Sequence, residues 1–258
     1  MNKIAFATAA TLLFTGAASA ADLAARPYTK APPPVVASVF NWTGFYVGGN
    51  VGGMWTDQNA FWLNSNLATR NFNHDQSTGI GGAQIGAQYQ WSNVVLGVEA
   101  AWFTGFDSGQ VTGSPLTGCP NAGFTCQARV SDIWTVGPRL GYAVNDWLFY
   151  GTGGYANGRI STRAFSNATG IVFDDFSNRQ GGWFAGAGIE WAAWKSGSTA
   201  LVLGAEYQHI DLGTARMASP GDGGACLINC RDIDTKIDLV RARLSVKFGP
   251  PAAVVAKY

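Results

Sequence analysis

The sequence predicts an all-β chain: an eight-stranded antiparallel transmembrane up-and-down β-barrel with a cleaved N-terminal signal peptide. Three observations predict it. Eight segments alternate in hydropathy with the period of two that marks strands with unlike faces. The connections between them alternate strictly between long and short. In each segment that can be oriented, the unbroken face is apolar and the interrupted face carries the charges.

Composition removes other classes first. Charged residues are 13% of 258 and aromatics 13%, with ten Trp, and 34 residues are Gly. Soluble globular chains average roughly 25% charged residues, and disorder requires high charge with few aromatics. No apolar run reaches the roughly 20 residues of a transmembrane helix. The formal charge is +1; removing residues 1–20 takes away Lys3 and no acid, which leaves 16 basic and 16 acidic residues. A neutral chain has no basic stripe to track phosphates, so no nucleic-acid partner is expected.

The elements follow in order. Met1-Asn2-Lys3 is a short basic start, Ile4 to Ala18 is apolar, and Ala18-Ser19-Ala20 supplies the small residues of a cleavage site. Residues 1–20 therefore read as a signal peptide. Residues 21–39, with Pro27, Pro32, Pro33 and Pro34, read as an extended periplasmic linker. Residues 40–248 are the barrel and 249–258 a C-terminal tail. Its predicted strands are Asn41–Trp55, Gly79–Trp91, Val94–Phe106, Arg129–Tyr142, Trp147–Ile160, Gly181–Trp194, Ala200–Leu212 and Thr235–Phe248. Each exceeds the ~9 to 11 residues that cross a bilayer as a tilted strand. Ser92-Asn93, Ala143–Asp146 and Lys195–Thr199 are the short connections. Thr56–Thr78, Asp107–Ala128, Ser161–Gln180 and Gly213–Asp234 are the long ones. Bacterial barrels sort their connections this way, long outside and short in the periplasm.

Charge then sets the faces. In the last segment Val240, Ala242, Leu244, Val246 and Phe248 alternate with Leu239, Arg241, Arg243, Ser245 and Lys247. A cation facing lipid at the midplane costs roughly 2–4 kcal/mol, so the second set faces inward, and a one-residue slip would expose all of it. The same rule turns Leu96, Val98, Val136, Leu140, Trp183, Ile189, Leu203 and Tyr207 outward. It turns Gln84, Gln88, Glu99, Arg139, Glu190, Glu206 and Gln208 inward. The segment from Trp147 is apolar or glycine on both faces and stays unoriented. Trp55, Trp91, Trp147, Trp191 and Trp194 lie at predicted strand ends, where aromatic girdles meet the membrane interfaces.

An eight-stranded interior is just wide enough for side chains to fill. Glu99, Glu190 and Glu206 share it with Arg139, Arg241, Arg243 and Lys247, and buried opposite charges are expected to pair as a lumen network. Inward glycines such as Gly86, Gly97, Gly186 and Gly204 are expected to leave water-filled gaps. Cys119 and Cys126 share one long connection, Cys226 and Cys230 another. Export to an oxidising compartment makes these four disulfide candidates, with local pairs preferred among three connectivities. A metal site is the other reading, but neither connection contains a histidine. His74 and His209 are the only histidines; His209 with Asp211 and Glu206 is a conceivable base and orienter, without a serine placed beside it. The Gly79–Gly82 and Gly186–Gly188 clusters lack the dinucleotide fingerprint and its helix. No catalytic, cofactor-binding or metal residue is assigned, and no cofactor is expected.

The chain resembles the alphaproteobacterial branch of small OmpA-like outer-membrane barrels, with the rhizobial RopB-type proteins. The likeness rests on Asp22-Leu23, on Tyr28-Thr29-Lys30-Ala31-Pro32-Pro33-Pro34 and on Asn41-Trp42-Thr43-Gly44-Phe45-Tyr46-Val47-Gly48-Gly49-Asn50. Gly97-Val98-Glu99-Ala100 and Gly137-Pro138-Arg139-Leu140-Gly141-Tyr142 add to it. It implies a non-enzymatic protein of the Gram-negative outer membrane that supports envelope integrity and presents surface loops; a narrow porin-like channel for small solutes is the alternative. It also implies contact with outer-membrane lipid, lipopolysaccharide, the barrel-assembly machinery, and host or surface ligands at the loops. Two departures stand out. Only Gly249–Tyr258 follow the last strand, where OmpA continues into a peptidoglycan-binding domain. The terminal aromatic read during assembly is either Phe248 or Tyr258.

Overall fold

The computed structural model describes residues 40–64, 67–106, 109–112, 123–218 and 229–250. The expected signal peptide, linker and most of the tail lie outside these residues, as do Cys119 and Cys226.

Among the described residues, nine strand segments close a ring. They are β1 (Gly44–Asn64), β2 (Leu67–Trp91), β3 (Val94–Gly105), β4 (Gly109–Thr112), β5 (Phe124–Val144), β6 (Trp147–Ser166), β7 (Val172–Ser196), β8 (Thr199–Ala218) and β9 (Asn229–Phe248). Every pairing is antiparallel, in chain order, and β1 against β9 completes the circle. β3 and β4 both pair with β5, so they occupy one position in the wall and the barrel has eight staves. Closure removes the edges that an open sheet would leave unpaired.

Ser92-Asn93, Asn145-Asp146 and Gly197-Ser198 make the tight turns at one end. Each begins with a residue in the left-handed region, at φ 54°, 54° and 58°. Two-residue hairpins whose twist matches the strands require that conformation.

The opposite end departs from expectation. The long connections are largely strand: β1 and β2 stay paired up to Asn64↔Leu67, and β8 and β9 up to Ala218↔Cys230. Strands of 20 to 25 residues are twice what the bilayer needs, so the wall continues past the membrane as a palisade of hairpins. Trp55 accordingly sits within β1 rather than at its end.

Leu96, Val98, Val136, Leu140, Leu203, Val240 and Leu244 are exposed on the outer wall, while Gln84, Gln88, Glu99, Arg139, Glu190, Glu206, Arg241 and Arg243 are buried inside. β6, ambiguous in sequence, turns Trp147, Phe149 and Tyr155 out and Leu148, Tyr150 and Ala156 in. An apolar wall of this extent is stable only against hydrocarbon. Irregularities shift side-chain parity along several strands. Val130 and Ile133 both point inward across a bulge at Asp132 (φ 50°), and a bulge between Ala192 and Trp194 turns Trp194 outward.

Candidate functional site

β9 reads out the interior from top to bottom. Ile237 and Leu239 are followed by Arg241 and Arg243, then by Ser245 and Lys247, all buried. Three layers therefore fill the lumen. On the hairpin side Met54, Ile80, Phe103, Ile133, Ile210, Ile237 and Leu239 form an apolar plug. On the tight-turn side Phe40, Trp42, Val95, Leu148 and Val202 form a second. Trp42 is fully buried there; its backbone N–H donates to Gln90 Oε1 at 2.7 Å. The sequence reading missed both plugs.

Between them three carboxylates meet three guanidinia. Arg243 donates through Nη2 to Glu99 Oε2 at 2.5 Å and through Nη1 to Glu99 Oε1 at 2.9 Å, and its Nη1 also reaches Glu206. Arg241 Nη2 donates to Glu206 Oε1 at 2.7 Å. Arg139 lies 2.7 Å from Glu190 through Nη2 and 3.3 Å from Glu99 through Nη1. Gln208 Nε2 donates to Glu206 Oε1 at 2.5 Å. Each ion would cost several kcal/mol to bury alone; a neutral, multiply hydrogen-bonded set offsets that penalty.

Two tyrosines that sequence reading did not single out complete the layer. Tyr46 Oη donates to Glu99 Oε2 at 2.6 Å and accepts from Arg139 Nη1 at 2.9 Å. Tyr150 Oη donates to Glu206 Oε2 at 2.5 Å, and the Arg139 guanidinium stacks over its ring at 3.6 Å. The alternation Phe45, Tyr46, Val47 carried a signal for the first; β6, apolar on both faces, carried none for the second. Beneath, Asn50 Nδ2 donates to Gln84 Oε1 at 2.7 Å and Gln84 Nε2 to Ser245 Oγ at 3.1 Å.

Lys247 stands apart from the acids. It caps the tight-turn mouth, donating to the carbonyls of Thr43 at 2.6 Å and Asn41 at 3.0 Å.

The inward glycines are seats for neighbouring side chains, which corrects the expectation of gaps. Gly86 is directly opposite Tyr46, and Gly188 opposite Tyr150. A Cβ at either would collide with the tyrosine lying across it. A Cβ at Gly97 would lie 2.8 Å from Gln88 Cβ, one at Gly186 2.8 Å from Gln208 Cγ, and one at Gly204 2.8 Å from Glu190 Cγ. Large side chains fit a narrow barrel because the facing positions are empty of side chain.

His209 and Glu206 do not meet: Glu206 is inside and His209 outside. His209 Nδ1 lies 2.8 Å from Asp238 Oδ1, its partner across β8 and β9, and Tyr207 Oη donates to the same oxygen at 2.6 Å. The side chains of His74, Cys126 and Cys230 lie outside the described residues.

The family model described as "Outer membrane protein beta-barrel domain" matches residues 6–248. The 31 kDa outer-membrane immunogenic protein of Brucella melitensis is 28% identical over 258 residues, covering 96% of this chain and 100% of the relative, and its Brucella suis counterpart gives the same figures. Among solved structures, OprG of Pseudomonas aeruginosa aligns over 83% of this chain and 99% of its own, with 12% identity and a TM-score of 0.43. Ail of Yersinia pestis aligns over 78% and 99%, with 11% identity and a TM-score of 0.34. A closed apolar-walled barrel and a family match over nearly the whole chain lead to one assignment: the chain belongs to the outer membrane protein beta-barrel domain family and resides in the Gram-negative outer membrane.

Proposed function

We propose that the protein is a non-enzymatic scaffold of the outer membrane, a sealed barrel that supports envelope integrity and holds four hairpins above the surface. The observation that carries this reading is the filled lumen. Two apolar plugs bracket a neutral charge layer, and an apolar constriction excludes water and ions alike. That filling weighs against the narrow-channel alternative. The separation of His209, paired with Asp238 on the outer wall, from the buried Glu206 weighs against the base and orienter considered at His209.

Long, paired hairpins suit display, because a hydrogen-bonded palisade keeps its tips well clear of the headgroups. The Brucella relatives are named as immunogenic proteins, which favours a surface-presenting role here too. Outer-membrane lipid and lipopolysaccharide are the proposed surroundings, the barrel-assembly machinery the proposed partner during insertion, and host or surface ligands the proposed partners of the tips. Phe248, the last residue of β9, is the proposed assembly signal.

A deletion strain tests the role. Loss of the chain is expected to increase leakage of periplasmic enzymes and sensitivity to detergent. Expression of a variant with hairpin tips trimmed but the barrel intact is expected to restore both. An unchanged envelope in the deletion strain contradicts the proposal.

A further inference from the structure

Residues 40–43 precede β1 and belong to no strand. The chain leaves the ladder at Gly44, whose φ of 138° favours glycine and where a Cβ would collide with the Phe248 carbonyl. Beyond this bend Phe40 and Trp42 are buried in the lower plug, with their rings edge to face at 4.9 Å.

Side chains from separate staves hold the segment where a ladder would hold a strand. Gln90 of β2 accepts from the Trp42 N–H through Oε1 at 2.7 Å, and its own N–H donates to Thr43 Oγ1 at 3.0 Å. Asn41 Oδ1 accepts from the Thr43 N–H at 2.9 Å, which folds the segment on itself. Lys247 of β9 donates to the Asn41 and Thr43 carbonyls. The ammonium groups of Lys247 and of Lys195 on β7 stand 5.2 and 5.8 Å from the Phe40 ring centre. The segment therefore reaches from β2 across the β1–β9 seam toward β7.

That seam differs from the rest of the wall. The other staves neighbour one another in chain order, whereas Lys247 and Thr43 are 204 positions apart. Joining the two ends closes the longest loop in the barrel, so local hairpins form ahead of it. The anchor for residues 40–43 exists only once β9 lies on β1, because Lys247 is opposite Tyr46 in that pairing. Lys247 is itself buried, and among the described residues both of its hydrogen bonds go to this segment.

We propose that residues 40–43 are a clasp that docks after the barrel has closed and then holds the β1–β9 seam shut, with Gly44 as its hinge. Contacts made after the rate-limiting step slow unfolding and leave folding unchanged. The lifetime of the closed barrel is then set by an unfolding rate that the clasp controls.

The test uses the full mature chain refolded into phospholipid vesicles, with heat-modifiable migration scoring the folded form. Folding and unfolding rates are measured against urea concentration. Trp42→Ala is expected to fold within about twofold of the wild-type rate and to unfold about a hundredfold faster. Lys247→Met, which removes the two anchoring bonds, is expected to unfold about tenfold faster, again without slowing folding. A second readout is chemical: folded protein in micelles is treated with a water-soluble amine reagent and mapped by mass spectrometry. In the wild type Lys195 and Lys236 are expected to be modified and Lys247 spared. In folded Phe40→Ala with Trp42→Ala, Lys247 is expected to react. A Trp42→Ala chain that never reaches the folded form, that folds more slowly in proportion to its lost stability, or that unfolds at the wild-type rate overturns the proposal. Wild-type Lys247 as reactive as Lys195, or Lys247 spared in the double variant, overturns it as well. Failure here leaves the sealed scaffold untouched, since conductance reads that separately.

Discussion

Arg243 of β9 grips Glu99 of β3 with both terminal nitrogens, at 2.5 and 2.9 Å, across the interior of the barrel. The two residues are 144 positions apart in sequence and on staves separated by β1 and β2. The bond is a strut between opposite parts of the wall.

Removing one end of that strut is expected to be costly and removing both much less so. Arg243→Met leaves a buried carboxylate short of a partner and is expected to cost about 3–5 kcal/mol. Adding Glu99→Leu leaves Arg139 and Arg241 facing Glu190 and Glu206, again neutral, and is expected to recover most of the loss. Urea unfolding in lipid vesicles, followed by tryptophan fluorescence, measures both. A double variant as unstable as the sum of the singles contradicts the pairing.

The glycine seats make a second prediction. Gly86→Ala and Gly188→Ala push a methyl group into Tyr46 and Tyr150 and are expected to destabilise by about 1–3 kcal/mol. Gly49→Ala, whose Cβ would meet only Gly82 O at 3.6 Å, is expected to stay within about 0.5 kcal/mol of wild type. The same unfolding assay ranks the three.

The outer wall yields a third. Leu244 is exposed on β9 between Leu203 of β8 and Gly49 of β1. Leu244→Arg at mid-belt is expected to cost about 2–4 kcal/mol when the protein is folded in bilayers. A neutral outcome would mean that this face does not meet hydrocarbon.

Peptide mapping without reductant provides a fourth. The expected products are the Cys119–Cys126 and Cys226–Cys230 links and a mature chain beginning at Ala21. Alkylation of all four thiols without reduction contradicts the disulfides, and peptides from residues 1–20 in the outer-membrane fraction contradict cleavage.

Within the bilayer the fold was legible because the solvent differs on the two sides of the wall. Lipid rejects Arg241, Arg243 and Lys247, so a single strand orients itself and its neighbours follow by register. Above the belt the outer face meets water, and the inward Thr56 and Gln58 are polar although buried, so neither face stays apolar. The alternation fades there although the ladder continues, and β1 beyond Trp55 therefore read as loop. β6 failed for the opposite reason. Its inward Leu148 and Tyr150 are as apolar in pattern as its outward Trp147 and Phe149, and only their lumen contacts, Leu148 in the lower plug and Tyr150 on Glu206, separate them. The charge-bearing residues of the site could be named from hydropathy alone. The tyrosines that clamp them, and the two apolar plugs, depend on which side chains meet across the lumen, and one strand's pattern does not carry that information.

Conductance across a planar bilayer tests the sealed barrel most directly. Protein that migrates as folded before heating is inserted at defined amounts, and current is recorded under an applied voltage. The filled lumen predicts no reproducible single-step openings above the bare-lipid baseline. Uniform steps that scale in number with inserted protein would contradict it.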